Sequence, residues 1–168
     1  VEPELWKTIR PLARKGLRTG RGIPAEGDML AALGLRYGTP EATAFAVKVQ
    51  KTLALEAYRA SVKMAAERGA FEIFDARKEE KNPMIGRIRE ADPELYAEMV
   101  KHGRRNIAML TIAPTGTTSL MSQTTSGIEP VFRPVYKRRR KINPSDQDAK
   151  VAFVDDMGEK FEEYNVYH

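Results

Sequence analysis

The sequence predicts an α/β fold. Two observations carry that expectation. Amphipathic helical segments alternate with short apolar runs, in the order helix, strand, helix, strand. The breaks between them fall at proline and glycine. Composition agrees with a globular chain, since 42% of the 168 residues are hydrophobic and 30% are charged. That length is about one domain's worth, so residues 1–168 are read together.

The opening stretch, "VEPELWKTIRPLARKG", has no apolar core long enough for a signal peptide. No run in the chain approaches the roughly 20 apolar residues that span a bilayer. An initiator methionine is missing too, so the chain is expected to be an internal piece of a longer one. Arg14, Lys15, Arg18 and Arg21 then alternate with Gly16, Gly20 and Gly22, which predicts a loop.

A short helix follows. Pro24 suits its first turn, Glu26 and Asp28 suit its positive end, and Gly34 suits its stop, with Met29, Leu30 and Leu33 turned inward. The longest helix runs from a Thr39 cap and Pro40 to Gly69. Phe45, Val49, Leu53 and Ala57 recur along it at helical spacing, with Met64 and Ala65 one step off register. "GAFEIFD" reads as a strand leaving that helix. In "NPMIGRIREADPELYAEMVKHG", Asp92 caps a helix, Pro93 sits in its first turn and Gly103 stops it.

"NIAMLTIAP" is almost continuously apolar and is expected to be a buried strand. "IEPVFRPVYKRRR" is extended, and Pro130 and Pro134 argue against a central ladder position. "NPSDQDAK" makes a polar connection, and "FVDDMGEKFEEYNVYH" alternates acidic and aromatic residues.

The richest chemistry lies in "TIAPTGTTSL", residues 111 to 120. An apolar strand ends at Pro114, a glycine turn follows, and Thr117, Thr118 or Ser119 is expected to cap a helix through Leu120, Met121 and Gln123. Such a turn exposes unpaired N–H groups where the helix macrodipole is positive. Gly116 lets the backbone approach an oxygen ligand, and the threonine hydroxyls add uncharged donors. Phosphate sites at barrel strand ends are built this way. No lysine follows the glycine, so a Walker loop does not fit. On spacing alone, a phosphate loop and an ordinary capped turn both remain open.

The other polar features have ordinary readings. Net charge is +5, with a pI near 9.5, which permits anionic partners. "KRRRK", residues 137 to 141, is read as a solvated strand end, with a nucleic-acid patch as the alternative. Arg104 and Arg105 are expected in surface ion pairs, with neutralisation of a phosphate or carboxylate charge as the alternative. Glu129, between apolar neighbours, is expected to accept backbone N–H bonds. His102 suits a helix C-terminus, while His168 is terminal and uninformative. Two distant histidines without cysteine give no metal spacing. Asp155–Asp156 and Glu162–Glu163 diverge as neighbours and make poor acid–base pairs. The glycine-rich "RTGRG" is a loop, with anion binding as its alternative. Cysteine is absent, which removes thiol chemistry from this chain.

"GRRNIAMLTIAPTGTTSLMSQTTSGIEPVF" closely resembles the substrate-phosphate segment of ribonucleotide reductase large subunits. The best match is the adenosylcobalamin-dependent class, class II. "RTGRGIPAEGDMLAALGLRYGTPEA" resembles the segment upstream of it, "AYRASVKMAAERGAF" the long helix between, and "EEYNVYH" the part that follows. The resemblance runs through essentially the whole chain, and "APTGTTS" followed by "SGIEPVF" is its specific part.

It implies the later part of a ten-stranded α/β barrel, incomplete as given, so that residues 1–168 form a single partial domain. The implied activity is that of a ribonucleoside-diphosphate reductase of the thioredoxin-disulfide type. Such an enzyme makes 2'-deoxyribonucleotides by radical chemistry started from adenosylcobalamin. The resemblance places Pro114, Thr115, Gly116, Thr117 and Thr118 on the substrate-phosphate loop, bordered by Ser119. It implies a ribonucleotide substrate, a thioredoxin-type reductant and dNTP effectors; with no bilayer-spanning run, no membrane is expected, and a cytoplasmic location is the default. The family's thiyl radical and reducing pairs need cysteines, which lie elsewhere in such chains. No catalytic residue, metal ligand or cobalamin ligand is therefore assigned here. Two alternatives remain: a small basic nucleic-acid-binding module, and a free-standing, non-catalytic nucleotide-binding domain.

Overall fold

The computed structural model describes residues 3–143, 145–146 and 148–167. The chain divides into two compact units, Val1–Ile23 with Leu30–Pro114, and Pro24–Met29 with Thr115–His168. His168 lies outside the described residues.

The first unit is helical. The opening stretch forms α1, Pro3–Gly16, which takes in Arg14, Lys15 and Gly16 from the expected loop. Glycine spacing hid it, because Gly16 sits at the helix end and not within it. Helix α2, Glu26–Ala32, is short, and Gly34 follows it at φ +71. Leu30 is buried as expected, but Leu33 is 53% exposed because the helix ends one residue earlier.

Helix α3, Pro40–Arg68, has the expected ends. Thr39 Oγ1 accepts from Ala42 N at 3.3 Å, and Gly69 N, at φ +81, donates to Ala65 O at 2.8 Å. Its deepest burial falls at Tyr58, Ser61, Val62 and Ala65, while Phe45, Val49, Leu53 and Ala57 are only half-buried. Asn82 caps α4, Pro83–Ala91, and Asp92 caps α5, Pro93–His102, accepting from Leu95 N at 2.9 Å. Tyr58, Val62, Ile85, Ile88, Leu95, Met99 and Met109 form the core.

Neither expected strand forms a regular ladder. "GAFEIFD" is a turn leading into a 3-10 helix, Ala76–Glu79, and only Phe71 N reaches across, to Arg104 O at 3.0 Å. Phe71 and Phe74 stack edge to face instead of alternating along a ladder. "NIAMLTIAP" pairs on one side alone. Arg21 bridges Leu110 in parallel, through Arg21 N to Met109 O at 2.7 Å and Thr111 N to Arg21 O at 2.9 Å. Ile112 is 67% exposed, so the run is not a fully buried strand.

The expectation of surface ion pairs fails at both arginines. Arg104 is 2% exposed. It forms a two-pronged ion pair with Glu79, with Nη2 2.6 Å from Oε1 and Nη1 on Oε2. Its Nε donates to Asn106 O at 3.1 Å and its Nη2 to Ile107 O at 3.3 Å. The guanidinium carbon lies 5.4 to 5.8 Å from the rings of Tyr58, Phe71 and Phe74. Burial raises the Tyr58 phenol above its usual range, and the Arg104 charge opposes that rise. Arg105 caps the end of α3, donating to Arg68 O at 3.1 Å and Gly69 O at 3.0 Å.

The second unit carries α6, Gly116–Ser122, and an antiparallel sheet of order β1-β3-β2. Strand β1, Val135–Lys141, begins only after Pro134 and lies at an edge. Strands β2, Phe153–Val154, and β3, Lys160–Tyr167, form a hairpin. Asp155 Oδ1 closes its turn by accepting from Met157 N and Glu159 N, with Gly158 at φ +81. Among the described residues there is no closed barrel.

Two outcomes follow for stability. Glu79→Gln leaves the Arg104 charge buried without its counter-ion and lowers the unfolding free energy by about 3 kcal/mol, read by denaturant titration. Asp92 is held below the ordinary carboxylate range by the Leu95 N–H and then by Arg59. Its folded-state pKa is depressed, so its stabilisation is present above the ordinary range and is lost as pH falls through it. The melting temperature of Asp92→Asn should therefore fall less on acidification than that of the parent chain.

Candidate functional site

The hydroxyl-rich loop opens the second unit on a strained residue. Thr115 adopts φ 49 and ψ 26, a left-handed conformation unfavourable for a β-branched side chain. Its Oγ1 accepts from Gly127 N at 2.8 Å, so the hydroxyl is tied to the returning chain. Helix α6 begins at Gly116 with no side-chain cap. Thr117, Thr118 and Ser119 therefore lie inside its first turn, and none is the expected cap. The helix ends at Ser122 with Gln123 in a left-handed conformation, and Leu120 and Met121 are 80% and 83% exposed.

The loop divides into a held part and an open part. Ser119 is buried, donating from Oγ to Gly116 O and meeting Ser126 Oγ, each at 2.8 Å. Ser119 N makes the first intrahelical bond, to Thr115 O at 2.8 Å. The N–H groups of Gly116, Thr117 and Thr118 precede that bond and have no intrahelical acceptor. All three residues are exposed, and a Cβ built on Gly116 meets nothing within 4 Å. Gly116 is thus not demanded by its own backbone torsion; it leaves open space. Pro114, also exposed, is the last residue of the first unit.

A second strand of chain supports the loop, and sequence reasoning missed it. Ala25 N donates to Thr125 O at 3.0 Å and Glu26 N to Gly127 O at 3.3 Å. Asp28 Oδ2 accepts from Thr125 N at 2.8 Å, while Asp28 N donates to Thr125 Oγ1 at 3.2 Å. Gly27 is pressed against the same segment: a Cβ there would lie 2.3 Å from Glu129 O. Glu129 itself is exposed, and contributes its backbone in place of the expected carboxylate anchor. The available signal was the Gly27–Asp28 pair, which also suits a plain helix start. Beyond the loop, an open cleft of about 880 Å³ is lined by Ser126, Phe132, Arg133, Tyr136 and Tyr167, among others.

The basic run is neutralised across the sheet. Arg139 and Lys137 reach Glu163 at 2.6 and 3.8 Å, Arg140 reaches Glu162 at 2.6 Å, and Lys141 reaches Glu159 at 2.8 Å. Arg139 holds the Glu163 carboxyl below its usual range. Glu162 and Glu163 face opposite sides of β3, as their adjacency requires. His102 Nε2 lies 3.3 Å from Glu98 Oε2. The "RTGRG" loop is extended, and Gly22 is needed because a Cβ would lie 2.2 Å from Thr111 O. Arg21 lines a cleft of about 840 Å³ with Lys51 and Arg87. Among the described residues, no three His, Cys, Asp or Glu side chains gather where they could hold a metal ion.

Comparison with known proteins places these features in a family. Residues 6–160 match the model for the ribonucleotide reductase barrel domain. The chain is 34% identical over 137 residues to the vitamin B12-dependent ribonucleoside-diphosphate reductase of Mycobacterium tuberculosis, covering 81% of this chain and 16% of that protein. The protein of the same name from Thermoplasma acidophilum is 32% identical over 130 residues, covering 77% and 15%. The ribonucleoside-diphosphate reductase subunit alpha of Treponema pallidum is 29% identical over 131 residues, covering 73% and 15%. The chain thus spans 15–16% of the length of these relatives.

The packing at Gly27 has a measurable consequence. Gly27→Ala drives a Cβ into a backbone oxygen, so the turn closed by Glu129 N and Ser126 O must shift. Amide hydrogen exchange at Thr125–Glu129 should accelerate, with exchange in α3 unchanged.

Proposed function

The chain belongs to the ribonucleotide reductase barrel-domain family, and on that premise we propose that it is part of the large chain of a class II ribonucleoside-diphosphate reductase. In this reading residues 1–168 are one partial domain, the later part of a ten-stranded α/β barrel. The parent enzyme converts ribonucleotides to 2'-deoxyribonucleotides in the cytoplasm, draws electrons from a thioredoxin-type reductant and responds to dNTP effectors. Its thiols come from other parts of the parent chain, because this one has no cysteine.

Adenosylcobalamin, when bound to the parent enzyme, supplies the initiating radical. The vitamin B12 dependence in the names of two relatives supports that assignment. The residues present do not make a seat for it: His102, the one imidazole among the described residues, is engaged with Glu98.

The role of this segment is to hold the substrate's phosphates on residues 114–119. One observation carries that reading: Gly116, Thr117 and Thr118 present unpaired N–H groups, two exposed hydroxyls and the open space over Gly116 on a single turn. That turn coincides with the "APTGTTS" motif. Ionised phosphate oxygens accept strong hydrogen bonds from such donors, and the loop carries no carboxylate to repel them. Thr115 and the buried Ser119 shape the turn from below, and Pro114 leads into it. Fixing the phosphates orients the ribose for reaction elsewhere in the enzyme.

The test uses the full-length chain. Gly116→Val fills the open space and Thr117→Ala removes one donor. Each should raise KM for a ribonucleoside diphosphate, about tenfold or more for Gly116→Val, with the melting temperature unchanged. Unchanged KM in both variants would remove the phosphate role.

A further inference from the structure

We propose that Asp28 is a positioning residue for the phosphate loop, acting through Thr125 and the chain that returns beneath the loop. The proposal rests on the phosphate-loop reading and extends it to a residue 87 positions before Thr115 in the sequence. Asp28 grips Thr125 twice. Its carboxylate accepts the Thr125 N–H at 2.8 Å, and its own N–H donates to Thr125 Oγ1 at 3.2 Å. Ala25 N and Glu26 N add bonds to Thr125 O and Gly127 O, which fixes the returning segment on both sides of Ser126.

That segment in turn holds the loop at two points. Gly127 N donates to Thr115 Oγ1 at 2.8 Å, at the residue whose left-handed torsion turns the chain into α6. Ser126 Oγ meets Ser119 Oγ at 2.8 Å, and Thr124 N donates to Ser119 O at 3.0 Å. Between Thr115 and Ser119 lie the three residues with exposed donors. The carboxylate acts on them through Thr125, by fixing the two ends of their turn. Thr125 is 5% exposed, and a buried N–H without its acceptor must rearrange. Loss of the Asp28 carboxylate therefore frees residues 124–127, and the donors at 116–118 lose their common aim. Orientation of this kind acts on phosphate binding first.

The experiment measures KM and kcat for a ribonucleoside diphosphate in the full-length reductase. Asp28→Ala, Asp28→Asn, Ser126→Ala and Thr117→Ala are compared, with melting temperatures as a control on folding. Asp28→Ala should raise KM about tenfold with a smaller change in kcat, and Asp28→Asn, whose Oδ1 still accepts the Thr125 N–H, should recover most of the loss. Ser126→Ala, one bond further along, should raise KM less, and keeps the test open if Asp28→Ala does not fold. A rise in KM for Thr117→Ala with none for Asp28→Ala or Ser126→Ala overturns the positioning role and leaves the phosphate loop standing. No change in Thr117→Ala, alongside a rise in Asp28→Ala that Asp28→Asn does not recover, overturns both.

Discussion

The first unit is organised around one buried charge. An arginine withdrawn from water is tolerated only when its charge is countered and its nitrogens are hydrogen-bonded. Arg104 meets that condition with the Glu79 carboxylate and two backbone carbonyls, and three aromatic rings lie around it. The partners come from four stretches of chain. Tyr58 comes from α3, Phe71 and Phe74 from the turn after it, Glu79 from the 3-10 helix, and the carbonyls from the run that follows α5. Satisfying this one guanidinium brings four segments together. It also explains why "GAFEIFD" is no ladder: its aromatic rings are turned to the cation.

Hydrogen bonding in the second unit follows the same economy on a smaller scale. Hydroxyls that the sequence sets side by side have separate duties. Thr115 and Ser119 are committed to backbone and to Ser126, whereas Thr117 and Thr118 stay exposed. A loop that must present donors to an anion needs both kinds, because donors without a fixed scaffold lose orientation. The strained torsion at Thr115 fits a turn whose conformation is set by its surroundings. Membership of the reductase family gives this local arrangement its setting, though the chain accounts for only 15–16% of the relatives' length.

Charge pattern shows how far local composition reaches. "KRRRK" is the exposed strand that its charge predicts, and four of its five cations pair with acids on β3 or in the turn before it. Those acids were visible as "GEKFEE", but the register that sets Arg139 opposite Glu163 and Arg140 opposite Glu162 was not. Cross-strand pairing depends on which residues face one another, and local composition does not encode that.

By itself the sequence determined what depends on near neighbours. Thr39, Asp92, Gly69 and Gly103 mark helix ends because caps act within a few residues. Pro134 marks where β1 begins, and "APTGTTS" with "SGIEPVF" carried the family. Tertiary structure alone decided what depends on distant partners: the burial of Arg104, the one-sided pairing of the 106–114 run, and the hold of Asp28 on Thr125. An arginine after a helix stop and an aspartate near a helix start have adequate local explanations. Only the fold brings to each the groups that give it another role, because hydrogen bonds and desolvation act through space and not along the chain.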